Sequence, residues 1–131
     1  NPNGEAGVVA IFYNRLLKGE APIINGDGEQ TRDYIFIKDI VRANLLALSL
    51  DDSGIFNVGT GKETSVNELT RLILKIAESS ITAQRSKKNT FEQQRSCLDH
   101  TKLKESISWS PNFSLEEGLA ETFTFFKKNA I

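Results

Sequence analysis

Apolar side chains recur at helical spacing in four stretches of this chain, and turn residues punctuate the segments between them. Val8, Phe12 and Leu16 fall four residues apart, with Val9, Ile11 and Leu17 widening the stripe, so Gly4 to Gly19 reads as a helix. Gly19 is placed to stop it, because glycine accepts the left-handed conformation of a C-terminal cap. Ile40 to Leu50 reads as a second helix with Asp39 as its N-cap. It is apolar on nearly every face (Ile40, Val41, Ala43, Leu45, Leu46, Leu48, Leu50), which calls for cover on more than one side. Ser65 and Glu68 form a capping-box pattern that opens a third helix, with Val66, Leu69, Ile73 and Ile76 on its inner face. Ser114 and Glu117 repeat that pattern before the last helix, whose inner face is Leu115, Leu119, Phe123 and Phe126.

Shorter apolar runs between these helices predict strands. Pro22 to Ile24 is one, followed by the turn Asn25-Gly26-Asp27-Gly28. Asp33 to Ile37 is a second, rich in aromatic and β-branched residues, and Ile55 to Val58 a third, entered through Ser53-Gly54. Past Ser79 the periodicity fades. Ile81 to Gln84 and Arg95 to Leu98 read as extended, Arg85 to Gln94 as a polar loop, and His100 to Glu105 as a short helical turn. The class is mixed α/β in one domain spanning 1–131, without an internal repeat or linker.

Composition agrees with a globular domain, at 39% hydrophobic and 25% charged residues. A net charge of −1 gives no general attraction to nucleic acid or to anionic membranes. The apolar runs fall far short of the ~20 residues of a membrane span, and no secretory leader is visible. The first residues, Asn1-Pro2-Asn3-Gly4 without an initiator Met, suggest a piece of a longer protein. One cysteine, Cys97, allows no intrachain disulfide and fits a reducing cytoplasm.

Residue chemistry alone offers no catalytic constellation. His100 has no partner at metal-ligand spacing and reads as a solvated surface histidine. Cys97 reads as a half-buried strand residue, with nothing beside it to favour the thiolate. Gly59-Thr60-Gly61 follows a predicted strand, as a dinucleotide-binding turn does, yet Thr64 stands where the third glycine belongs. It reads as an ordinary turn, with a phosphate cradle as the alternative. Arg85, Lys87 and Lys88 read as a solvated loop, with an anion site as the alternative.

Four stretches add to this reading. They are Gly4-Glu5-Ala6-Gly7-Val8-Val9-Ala10-Ile11-Phe12; Gly26-Asp27-Gly28-Glu29-Gln30-Thr31-Arg32-Asp33-Tyr34; Phe56-Asn57-Val58-Gly59-Thr60-Gly61 with Thr64-Ser65-Val66-Asn67-Glu68-Leu69; and Arg95-Ser96-Cys97-Leu98-Asp99 with Lys102, Trp109-Ser110-Pro111 and Leu115-Glu116-Glu117-Gly118-Leu119. In this order they resemble the C-terminal, substrate-binding part of the extended short-chain dehydrogenase/reductases, in the NAD-dependent epimerase/dehydratase family, closest to the UDP-glucose 4-epimerases. The related dehydratases and decarboxylases share parts of the pattern.

The resemblance implies an isomerase of carbohydrate metabolism that uses NAD in the parent enzyme. It implies a UDP-sugar as partner, and no cofactor or catalytic residue in this chain alone, because the glycine-rich loop and the Tyr-x-x-x-Lys pair of the family lie upstream. Arg32 matches the arginine that binds the diphosphate; its competing reading is an ion pair with Asp33 or Glu29. The backbone of Ile23 and Asn25 matches the strand beside the uracil, and Glu92 the acidic position that bonds the ribose. Where the family carries Arg-Pro-Gly-Glu, this chain has Asn89-Thr90-Phe91-Glu92, so the second phosphate arginine is replaced by Asn89. A degenerate binding or assembly module is the rival from another class. The Ile40 to Leu50 helix and Ile55 to Val58 strand, which pack onto the cofactor half in the family, are expected to mediate self-association here.

Overall fold

A computed structural model of the chain describes residues 7–51, 53–87 and 93–129. In chain order it comprises α1 (Val8–Leu17), β1 (Ile23–Asn25), β2 (Thr31–Arg32), α2 (Ile37–Ala47), β3 (Thr64–Ser65), α3 (Val66–Ile76), β4 (Gln84–Ser86), α4 (Thr101–Ile107) and α5 (Leu115–Asn129). The mixed α/β class is as the sequence pattern implied.

Helices α1, α3 and α5 pack on one another and close the main core around Phe12, Tyr13, Ile24, Leu69, Ile73 and Leu119. Each fully buried Leu or Ile contributes about 1.5–3 kcal/mol, so Leu69 and Ile73 anchor α3 at the centre. The Tyr13 hydroxyl donates to the Leu119 carbonyl (2.9 Å), which ties α1 to α5 across the core. Both caps form. Ser65 Oγ accepts from the Glu68 amide (3.1 Å), while the Glu68 carboxylate pairs with Arg71. At α5 the box is reciprocal: Ser114 Oγ accepts from the Glu117 amide (3.2 Å) and Glu117 accepts from the Ser114 amide (2.8 Å). A second core holds Ala43, Leu103 and Trp109, with Phe56 and Val58 against them.

The strands are short and pair over long sequence distances. β1 runs parallel to β4, with Ile23 opposite Gln84 and Asn25 opposite Ser86. β2 runs antiparallel to β3, with Thr31 opposite Ser65 and Arg32 opposite Thr64.

Several expectations need correction. Residues 33–37 are not a strand: the ladder ends at Arg32, and Ile37 already begins α2. Asp39 is therefore inside the first turn of α2 rather than its N-cap, which is Phe36. Residues 55–58 form no strand either; Ile55 is 89% exposed while Phe56 and Val58 turn into the second core. The extended segment after α3 lies at 84–86, later than the apolar residues suggested, because its backbone partner is β1 rather than a buried face. Residues 95–98 are irregular, and Cys97 is exposed rather than half-buried in a strand. His100 is partly buried, its ring edge-to-face with Trp109 at 5.5 Å, instead of solvated.

Candidate functional site

The turn after β1 is held by the start of α3. Gly28 takes φ +75°, and a Cβ there would meet Asn67 Oδ1 at 2.2 Å and Ile24 Cγ2 at 2.9 Å, so only glycine fits. Asn67 holds the turn from the other side: its amide donates to the Gly28 carbonyl (3.0 Å), and its side chain donates to the Asp27 carbonyl (2.9 Å) and to Glu29 (2.6 Å). The next residue, Gln30, is buried and donates from Nε2 to the Asn25 carbonyl (3.1 Å). The turn thus fixes β1 and β2 relative to each other.

Gln84 donates to the Pro22 carbonyl (2.8 Å), and the Gly26 amide donates to Ser86 (3.1 Å). Residues 22, 24 and 26 therefore turn their backbone groups toward β4. By the alternation of a strand, Ile23 and Asn25 turn theirs to the opposite edge. That edge lines a cavity of about 590 Å³, bordered also by Arg32, Gln30, Arg15 and Tyr34. Three residues singled out from sequence, Ile23, Asn25 and Arg32, thus meet in one place. Glu92 and Asn89 lie outside the described residues.

Arg32 Nη1 donates to the carbonyls of Thr31 and Gln93, both at 2.7 Å. The two carbonyls fix the guanidinium's direction. Gln30 and Arg15 were not anticipated as lining residues. Gln30 stood in the quoted motif, but nothing in sequence showed its amide bridging back to β1.

The other candidates fall elsewhere. Asp33 accepts from the amides of Thr60 (2.9 Å), Gly61 (3.0 Å) and Leu98 (3.2 Å). A Cβ on Gly59 would meet Asp33 Oδ2 and Leu98 Cβ at 2.7 Å each. The Gly59-Thr60-Gly61 turn therefore closes on a carboxylate, and these amides do not fit a dinucleotide pyrophosphate. Arg85 donates to the Gly26 carbonyl (3.2 Å) and to Asn67 (3.1 Å), bracing the β1 turn, and Lys87 is exposed. Among the described residues no group of three or more His, Cys, Asp or Glu could hold a metal, and no helix is long and apolar enough to cross a membrane.

A family model for GDP-mannose 4,6 dehydratase matches residues 6–122. The chain belongs to this family of NAD-dependent epimerases and dehydratases. Within the epimerase/dehydratases it is 43% identical over 129 residues to a putative UDP-glucose 4-epimerase of Methanocaldococcus jannaschii, covering 98% of this chain and 42% of that protein. The crystal structure of a UDP-glucose 4-epimerase with UDP-glucose from Thermotoga maritima superposes with a TM-score of 0.94 at 46% identity, over all of this chain and 42% of that one. A Thermus thermophilus UDP-glucose 4-epimerase in complex with NAD superposes with a TM-score of 0.87 at 34% identity, over all of this chain and 43% of the other. The chain thus spans about two-fifths of the length of the epimerase/dehydratases it matches.

Proposed function

We propose that residues 1–131 are the C-terminal substrate-binding domain of a cytoplasmic, NAD-dependent UDP-glucose 4-epimerase, and that this chain grips the UDP-sugar without turning it over. The observation that carries the reading is the convergence of Arg32 with the strand residues Ile23 and Asn25 on one cavity. A guanidinium aimed by two carbonyls is suited to charge-assisted hydrogen bonds with diphosphate oxygens. A strand edge offering amides and carbonyls is suited to the polar rim of a uracil. Glu92 is assigned to the ribose hydroxyls on the family resemblance. A 4,6-dehydratase acting on another nucleotide-sugar would use the same grip, and the family model's description keeps it as the second reading.

Titration calorimetry of UDP against the wild-type chain and Arg32→Ala tests this. Loss of a charge-assisted phosphate contact costs about 1.5–3 kcal/mol, so affinity should fall roughly 10- to 100-fold. Equal affinities would remove Arg32 from the site. The same reading includes self-association of the chain through the exposed face of α2 and through residues 55–58, which pair with no strand among the described residues.

A further inference from the structure

Arg32 is held by two carbonyls that belong to different parts of the chain, and one exposed carboxylate joins those parts. Glu63 Oε1 accepts from the Thr31 hydroxyl (2.6 Å) and from Arg95 Nε (3.0 Å), and Glu63 Oε2 accepts from Arg95 Nη2 (2.5 Å). The arginine contact is a two-point fork, which fixes orientation as well as distance. The Thr31 amide donates in turn to the Gln94 carbonyl (2.9 Å). Glu63 therefore pulls residues 93–95 against β2, and this places the Gln93 carbonyl beside that of Thr31 for Arg32 Nη1.

We infer that Glu63 is a positioning residue for nucleotide-sugar binding, acting through Thr31 and Arg95 to aim the Arg32 guanidinium into the cavity. This rests on the reading of Arg32 as the phosphate-binding group. The Arg95 and Thr31 bonds hold the Glu63 carboxyl well below its ordinary range, so the clasp stays charged at neutral pH. Because Arg95 is exposed, the ion pair adds little to global stability. Its effect is therefore separable from that of a residue needed for folding.

A double-mutant cycle on UDP binding tests the inference. Wild type, Glu63→Ala, Arg32→Ala and the double variant are titrated calorimetrically with UDP. Glu63→Ala should weaken UDP binding several-fold when Arg32 is present and leave it unchanged when Arg32 is already alanine. Equal losses in both backgrounds would show general loosening and overturn the inference, as would no loss in the first. Unchanged affinity of the single Arg32→Ala variant would instead sink the phosphate-binding reading on which the inference rests. The order of the Arg32 Nε–H signal, from 15N relaxation of the ligand-free chain, reports the clasp independently of any ligand. It should drop in Glu63→Ala and recover in Glu63→Gln, which keeps an acceptor for Thr31. An unchanged signal in Glu63→Ala overturns the positioning role even if Arg32 binds phosphate.

Discussion

Asp39 lies fully buried in the first turn of α2 and accepts from the amides of Asn112 (2.9 Å) and Phe113 (3.1 Å) and from Arg42 (3.2 Å), while its own carbonyl accepts from Trp109 Nε1 (3.2 Å). This aspartate staples the segment before α5 onto α2. Asp39→Ala strands two amides, each costing about 1–3 kcal/mol when buried without a partner. Urea unfolding should show a loss of roughly 3 kcal/mol against wild type. Tyr13 sets a second residue-scale expectation. Burial raises its pKa above the ordinary 10.0. At alkaline pH the unfolded chain therefore ionises first, and the stability that Tyr13 contributes at neutral pH declines as pH rises past that value. Tyr13→Phe should lose about 1 kcal/mol at neutral pH and show a shallower alkaline decline, both read by chemical unfolding at neutral and alkaline pH. Glu63 works in the opposite direction. Its pKa falls from 4.5 to about 2 through its bonds from Arg95 and Thr31, so its contribution is present above 4.5 and is lost as pH drops toward 2. The acid loss should be smaller in Glu63→Gln, although the exposure of the pair keeps the difference small.

At the scale of elements, the helices and β1 were legible and the other strands were not. Leu69 and Ile73 in α3, and Leu119 in α5, stand on the inner faces that the helical period assigned to them. The strands β2 and β3 are two residues each, too short for alternation to show in sequence, and β4 is exposed along its length. They exist because a backbone partner lies alongside, which no local pattern encodes. The run Ile55 to Val58 alternates between solvent and the second core as a strand does, yet no backbone partner lies alongside it among the described residues. Helix α2 does not meet the expectation of cover on more than one face within this chain: Ala43 is buried, while Leu45 and the C-cap residue Leu48 are 64% and 83% exposed beside Ile37 and Val41. An apolar patch of this kind marks a surface for association. The mass of the chain by light scattering should rise above 14.6 kDa with concentration, and Leu45→Asp with Leu48→Asp should hold it there. A wild type that stays monomeric at high micromolar concentration would end that expectation.

At the scale of the whole molecule, the chain spans about two-fifths of its relatives, and the one dinucleotide-like turn, Gly59-Thr60-Gly61, closes on Asp33. A coupled assay on the purified chain should accordingly show no interconversion of UDP-glucose and UDP-galactose above background. The candidate site was legible only through the motif around Arg32. The family resemblance pointed to a phosphate arginine, but the carbonyls of Thr31 and Gln93 that aim it come from residues 62 apart in the chain, whose contact is set by tertiary packing. The role of Asp33 was hidden in sequence for the same reason: its partners at 60, 61 and 98 are distant along the chain.

The pairing of β1 with β4 joins residues about sixty apart through three positions. Such a small ladder is marginal on its own, whereas the amides of α3 sit over the buried Leu69 and Ile73. Hydrogen exchange in the native state should therefore be graded. The Gly26 amide should exchange through a partial opening of lower free energy than the global unfolding that releases those of α3. The β1–β4 ladder would then come apart before α3. UDP, by bridging β1 and Arg32, should slow exchange at Gly26 well before it alters exchange in α3.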